Sequence, residues 1–168
     1  MRPHRFRPWA EEQFRQSPAI ASVEAVRDDR PGHEHITYTH INLATGARII
    51  VMWVGGAPPG GDPPGSEEKI VTGLPPEPVK VPELSTSGRL RTADIEAHLV
   101  ALLNNGGHEE VAEVRRSSQQ PTIYTEGPTP GIRVRCHSGA TVTGIFLHTL
   151  SRGQQPTAQT EHKPREEV

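Results

Sequence analysis

The sequence predicts an α+β fold: an antiparallel sheet built from two hairpins, with an amphipathic helix and a short second helix packed on it. Three stretches carry that reading. His35–Leu43 and Ala47–Val54 are β-prone runs on either side of Ala44-Thr45-Gly46. Ile132–His137 and Ala140–Leu150 form a second such pair around Ser138-Gly139. Between them, Thr92–Asn104 carries apolar residues at helical spacing. A long Pro/Gly-rich internal loop and disordered tails complete the expectation.

The first hairpin is the organising element. Of its three loop residues only Gly46 takes a positive φ without steric cost, so Gly46 is expected as the bulge residue. That turn sets Ile41 across from Ile49, Thr39 from Val51 and Thr37 from Trp53, with Tyr38 beside Met52 and Ile36 beside Val54 on the other face. The second strand is apolar on both faces, which predicts a central strand covered from both sides.

Residues 1–17 read as a basic and aromatic N-terminal arm, with Arg2, His4, Arg5, Arg7 and Arg15 interleaved with Phe6, Trp9 and Phe14. Residues 18–54 read as a β-meander, opened by a strand at Ile20–Val26 and the turn Asp28-Asp29-Arg30-Pro31-Gly32. The composition then changes. Residues 55–89 are a linker or loop in which proline lacks the ladder donor and glycine is entropically costly to order. Part of it, Pro75–Ser87, is expected as polyproline II and contains the P-x-x-P spacing Pro75-Pro76-Glu77-Pro78.

Residues 90–150 hold a helix pair and a hairpin belonging to the same small domain as the meander. Thr92 is a good N-cap, Asp94 and Glu96 suit the first turn, and Ile95, Leu99, Leu102 and Leu103 form the apolar stripe. Asn104-Asn105-Gly106-Gly107 stops that helix, and His108–Arg116 reads as a second, short one with Val111 and Val114 facing inward. Thr122–Thr125 is a candidate short strand. In Ile132–His137 the parity is clean, with Ile132, Val134 and Cys136 on one side and Arg133, Arg135 and His137 on the other. Residues 151–168 have no aromatic residue and alternating charges, and read as a disordered tail. Two groups of three strands thus flank the linker, an arrangement open to a remote duplication, although no residue-level repeat marks one.

Charge and composition narrow the function classes. Eighteen basic and 20 acidic residues give a net charge of −2, so no global field draws the chain to nucleic acid or anionic lipid. Only Lys69, Lys80 and Lys163 are lysines; the arginine excess fits codon bias as well as anion binding. With one cysteine, no intrachain disulfide forms. No apolar run reaches the ~20 residues of a membrane span. The basic N-terminus lacks the apolar core of a secretory signal, so a cytoplasmic protein is expected.

No catalytic constellation stands out, and no cofactor is expected. His33 and His35 are two apart and near Asp28, Asp29 and Glu34, short of a specific zinc pattern. Cys136 and His137 are adjacent and therefore point to opposite faces of a strand. Gly60–Lys69 lacks the Gly-Lys-Ser/Thr ending of a phosphate-binding loop. The best candidate surface is Arg133, Arg135 and His137, spaced at about 7 Å like successive phosphates, with Arg5 and Arg7 of the arm as further candidate anion contacts. The expectation is a non-catalytic accessory or regulatory protein acting through contacts with another protein. The alternatives are nucleic-acid binding through the basic strand face and the arm, and a small hydrolase with a His-based metal site.

Overall fold

The computed structural model describes residues 1–33, 36–63, 66–119 and 129–168. In chain order the elements are α1 (Pro3–Arg15), β1 (Ile20–Arg27), β2 (Thr37–Leu43), β3 (Arg48–Gly56), α2 (Thr92–Asn104), β4 (Val111–Arg116), a single 3-10 turn at Ser117–Gln119, β5 (Gly131–Cys136) and β6 (Thr141–Leu150). The strands form one six-stranded antiparallel sheet in the order β1-β2-β3-β6-β5-β4. That order reads the same from either edge: each half of the chain is a helix followed by three meandering strands. The last strand of each half, β3 or β6, meets the other at the centre. The arrangement has the form of the duplication that the linker-flanking strands left open.

The first hairpin adopts the expected register. Ile41 faces Ile49, Thr39 faces Val51 and Tyr38 faces Met52, and Gly46 closes the turn with φ of 89°. The second hairpin turns at Gly139, with φ of 83°, and pairs Arg135 with Thr141 and Val134 with Val142. The two hairpins share the sheet through β3 and β6, whose pairing runs from Arg48–Leu150 to Gly56–Thr141. Both central strands are apolar on both sides because both faces of the sheet's middle are covered.

One face carries the main core. Ile41, Ile49, Val51, Ile132, Val134, Val142 and Phe146 meet Phe6, Ala10 and Phe14 of α1 and Ile95, Leu99 and Leu103 of α2. Trp53 lies across Gly144, where a Cβ would come within 2.6 Å of the indole. Its Nε1 donates to Thr39 Oγ1 at 2.9 Å, and Thr39 in turn donates to the buried Glu11 of α1 at 2.7 Å. The opposite face has only a small apolar cluster of Tyr38, Ile50, Leu147 and Leu150, with Ile36 and Met52 against it.

Four expectations are corrected. The N-terminal arm, open to being a flexible tail or an arm whose Trp9 and Phe14 pack back on the domain, is helix α1, an integral wall of the core, and not a flexible tail. Pro3 stands at a helix N-terminus, where its missing N–H costs nothing, and Phe6, Ala10 and Phe14 repeat every four residues to make a narrow buried stripe. The short second helix at His108–Arg116 is instead strand β4, an edge of the sheet. The linker begins later than expected, since Gly55 and Gly56 extend β3 against Val142 and Thr141. The segment 151–168 is tied down rather than disordered. His162 N donates to Leu147 O at 2.8 Å, Arg165 N to Thr149 Oγ1 at 2.6 Å, and Leu90 and Val168 exchange two backbone bonds. Val168, its one aliphatic residue, is buried. The strand expected at Thr122–Thr125 lies outside the described residues.

A buried carboxylate organises the second half. Glu96 of α2 is fully buried and accepts from Arg116 Nε at 2.8 Å, Ser118 N at 2.9 Å and Gly131 N at 2.8 Å, besides a bond from Ser118 Oγ. It binds the end of β4 and the start of β5 to one helix position.

Candidate functional site

Pairing β4 with β5 builds the most distinctive surface of the sheet. Arg133 lies opposite Arg115, and Arg135 lies opposite Glu113; across β6 they face Thr143 and Thr141. All point away from the helices, because Val114, Ile132, Val134 and Cys136 occupy the intervening, core-facing positions. Glu113 sits among the three arginines. It accepts from Arg115 Nε at 2.6 Å and from Arg135 Nε at 3.3 Å. The face continues over Ile145 and Met52 to Val54, which is 43% exposed. No helix covers this end among the described residues.

The other sequence-derived candidates lie elsewhere and are engaged. His137 follows the end of β5, and its ring Nε2 donates to Leu74 O at 3.0 Å. Arg5 reaches Glu110 at 2.6 Å and Glu68 at 3.2 Å. Arg7 lies 3.6 Å from Glu11 on its own helix. The five residues therefore form no common site: Arg133 and Arg135 stay together, and Arg115 joins them. The sequence reading missed Arg115 as a strand residue because β4 has a bulge between Val111 and Glu113. An extra residue there lets Val111 and Val114, three apart, share one face of a strand and imitate a helix.

Cys136 is buried in the core, and burial raises its thiol pKa, which opposes thiolate formation. His33 Nδ1 lies 3.6 Å from Asp28 Oδ2, and His35 lies outside the described residues. Among the described residues no group of three or more His, Cys, Asp or Glu side chains is placed to hold a metal ion. Asp28 braces its turn: it accepts from Arg30 Nη2 and from Tyr38 Oη, each at 2.7 Å. The bond from Arg30 holds the Asp28 carboxyl far below the ordinary carboxylate range.

Beside that brace is an open cavity of about 460 Å³, with Tyr38, His40, Ile50, Leu147 and His148 among its lining. His148 Nδ1 bonds Thr160 Oγ1 at 2.9 Å, tying the C-terminal segment across it. A larger recess, about 840 Å³, lies between the start of α1, the Gly/Pro-rich segment after β3 and the β5–β6 turn. Its side chains are of mixed charge, and Glu68 among them is already engaged by Arg2 N at 2.6 Å, the N-terminal ammonium at 3.3 Å and Arg5 at 3.2 Å.

Burial holds His40, His108 and His148 below the ordinary histidine pKa. Unfolding returns each to about 6.5, so below that pH the unfolded chain binds protons that the folded chain refuses. Stability is therefore complete above that value and is lost as the pH falls through it toward the depressed folded values. The melting temperature is expected to drop between about pH 7.5 and about pH 5.5, and His148→Asn should flatten the profile. A melting temperature constant or rising across that acid limb would contradict the burial of these rings.

Comparison of the chain with protein-family models, with curated proteins and with solved structures finds no match.

Proposed function

We propose that the chain is a non-catalytic cytosolic accessory protein that holds another protein against the uncovered end of its sheet. One observation carries this reading: a strand surface ends in exposed apolar Val54 with the partly buried Ile145 and Met52 beside it, and is rimmed by Arg133, Arg135 and Arg115. Charged rims steer partners while apolar centres hold them, and that is the composition of a transient protein interface. No described helix is long and apolar enough to cross a membrane.

The test is affinity capture from the source cells with three baits: the parent chain, Val54→Asp/Ile145→Asp and Arg133→Glu/Arg135→Glu. Val54, Arg133 and Arg135 are exposed, and such positions shift stability by only about 0.5 kcal/mol, whereas Ile145 is partly buried; a melting curve of each bait shows that any loss of capture is not unfolding. A stoichiometric protein partner recovered by the parent and lost from both variants is the expected result. Recovery of nothing specific would remove the proposal.

Nucleic-acid binding remains the alternative, on the same three arginines. Two phosphate contacts would give a log–log salt slope of about −1.8 on duplex DNA. Glu113, bonded to two of the arginines, opposes it. Salt-sensitive binding at about 50 mM salt, abolished in Arg133→Gln/Arg135→Gln, would favour that alternative over a protein partner.

A further inference from the structure

The proline-rich segment after β3 contains no helix or strand, yet it is fastened along α2. Gly73 N donates to Glu109 O at 2.9 Å, and His137 Nε2 to Leu74 O at 3.0 Å. Asn104 Nδ2 donates to Glu77 O at 2.7 Å. Asn105 both donates to Val79 O at 2.7 Å and accepts from Val79 N at 2.8 Å. At the far end Pro82 O takes a bond from His98 Nδ1 at 2.6 Å; a carbonyl only accepts, so Nδ1 carries the proton and Nε2 accepts from Ser17 Oγ at 2.8 Å.

Three prolines set the local conformation. Pro75, Pro76 and Pro78 each hold φ near −65°, and each pushes the preceding residue into extended space. Such a run favours the left-handed polyproline helix, with three residues per turn. Leu74 and Glu77, three apart, both have their carbonyls bonded to the protein, as does Val79. Pro75 and Pro78 are also three apart and are exposed. The carbonyls of Pro75, Pro76 and Pro78 have no partner among the described residues. Leu74 is 88% exposed, and Lys80 stands exposed two residues beyond Pro78.

We infer that Leu74–Lys80 is a preformed recognition rib, docked by a domain with an SH3-type aromatic groove that takes P-x-x-P followed by a basic residue. The exposed pair Pro75 and Pro78 fits the groove's aromatic slots, and Lys80 fits its acidic flank. A linker proline motif must be ordered on binding, whereas here five side chain–backbone bonds have ordered it in advance. This surface is distinct from the arginine-rimmed sheet face, and different substitutions probe the two.

The experiment is isothermal titration of the full chain into a panel of purified SH3 domains that prefer P-x-x-P-x-basic ligands. Saturable binding to at least one domain is expected, weakened at least about tenfold by Pro75→Ala/Pro78→Ala and also weakened by Lys80→Glu. Asn104→Ala/Asn105→Ala, which frees the rib while keeping its sequence, should weaken binding about fivefold. The proline variants alter exposed positions and should retain the parent melting temperature, which shows that any loss is not unfolding. Absence of binding across the panel, or binding indifferent to the Pro75/Pro78 pair, would overturn the inference and leave the segment as a structural strap only.

Discussion

Phe6→Ala is expected to destabilise the protein by about 3–5 kcal/mol, a large share of the roughly 5–15 kcal/mol available to a natural domain. Phe6 has no exposed surface and is gripped edge-on by two indoles, Trp9 at 5.3 Å and Trp53 at 5.2 Å between ring centres. Those indoles belong to different elements, one to α1 and one to β3, so the ring joins the helix to the centre of the sheet. Alanine would leave a void between groups that cannot collapse together, because Trp53 is already seated over Gly144. Urea unfolding followed by tryptophan fluorescence reads the change at the site itself. A loss below about 1 kcal/mol would mean that α1 is an accessory arm after all.

Replacing Glu96 by alanine is expected to cost a similar amount, about 3–5 kcal/mol, for a different reason. Little apolar contact is lost. Instead the partly buried Arg116 guanidinium and the amides of Ser118 and Gly131 lose their common, fully buried acceptor. Glu96→Gln should be nearly as damaging, since its amide nitrogen presents a donor to donors. Hydrogen exchange separates this account from general loosening: protection should fall first at Ser118 and Gly131, and at Ile49 and Val51 only with global unfolding. Uniform loss of protection would show that Glu96 is ordinary core.

The sequence announced the hairpins because strand parity and a single turn glycine determine register locally. Ile41–Ile49 and Tyr38–Met52 follow from Gly46 alone. It announced α2 for the same kind of reason, a periodic stripe with a stop signal. It concealed α1, whose stripe is one residue wide and is flanked by arginines, a histidine and two prolines. It disguised β4, because the bulge replaced a two-residue period by a spacing of three. The partners of segment 151–168 are backbone groups of Leu147, Leu90 and Thr92 and the side chains of His148, Thr149 and Thr92, scattered positions that no periodic pattern advertises. Of the candidate surface, the alternation of Arg133 and Arg135 was legible. Their neighbour Arg115 could be brought near them only through a helix packed on the sheet; its place opposite Arg133 on a strand was not legible, since it depended on β4.

The palindromic strand order has a consequence for the long connection between β3 and α2. Because the two halves are joined edge to edge through β3 and β6, the sheet does not depend on that connection for its closure, and the connection is fastened only at separate points along α2. The entropic cost of closing a flexible tether grows only with the logarithm of its length, about 0.6 kcal/mol for each doubling. Insertions between its fastened points therefore cost folding little, whereas the bonded residues from Gly73 to Pro82 hold their place. The stretch can drift in length and composition while the sheet stays constant, which makes it the cheapest place in the molecule for new binding specificity to evolve.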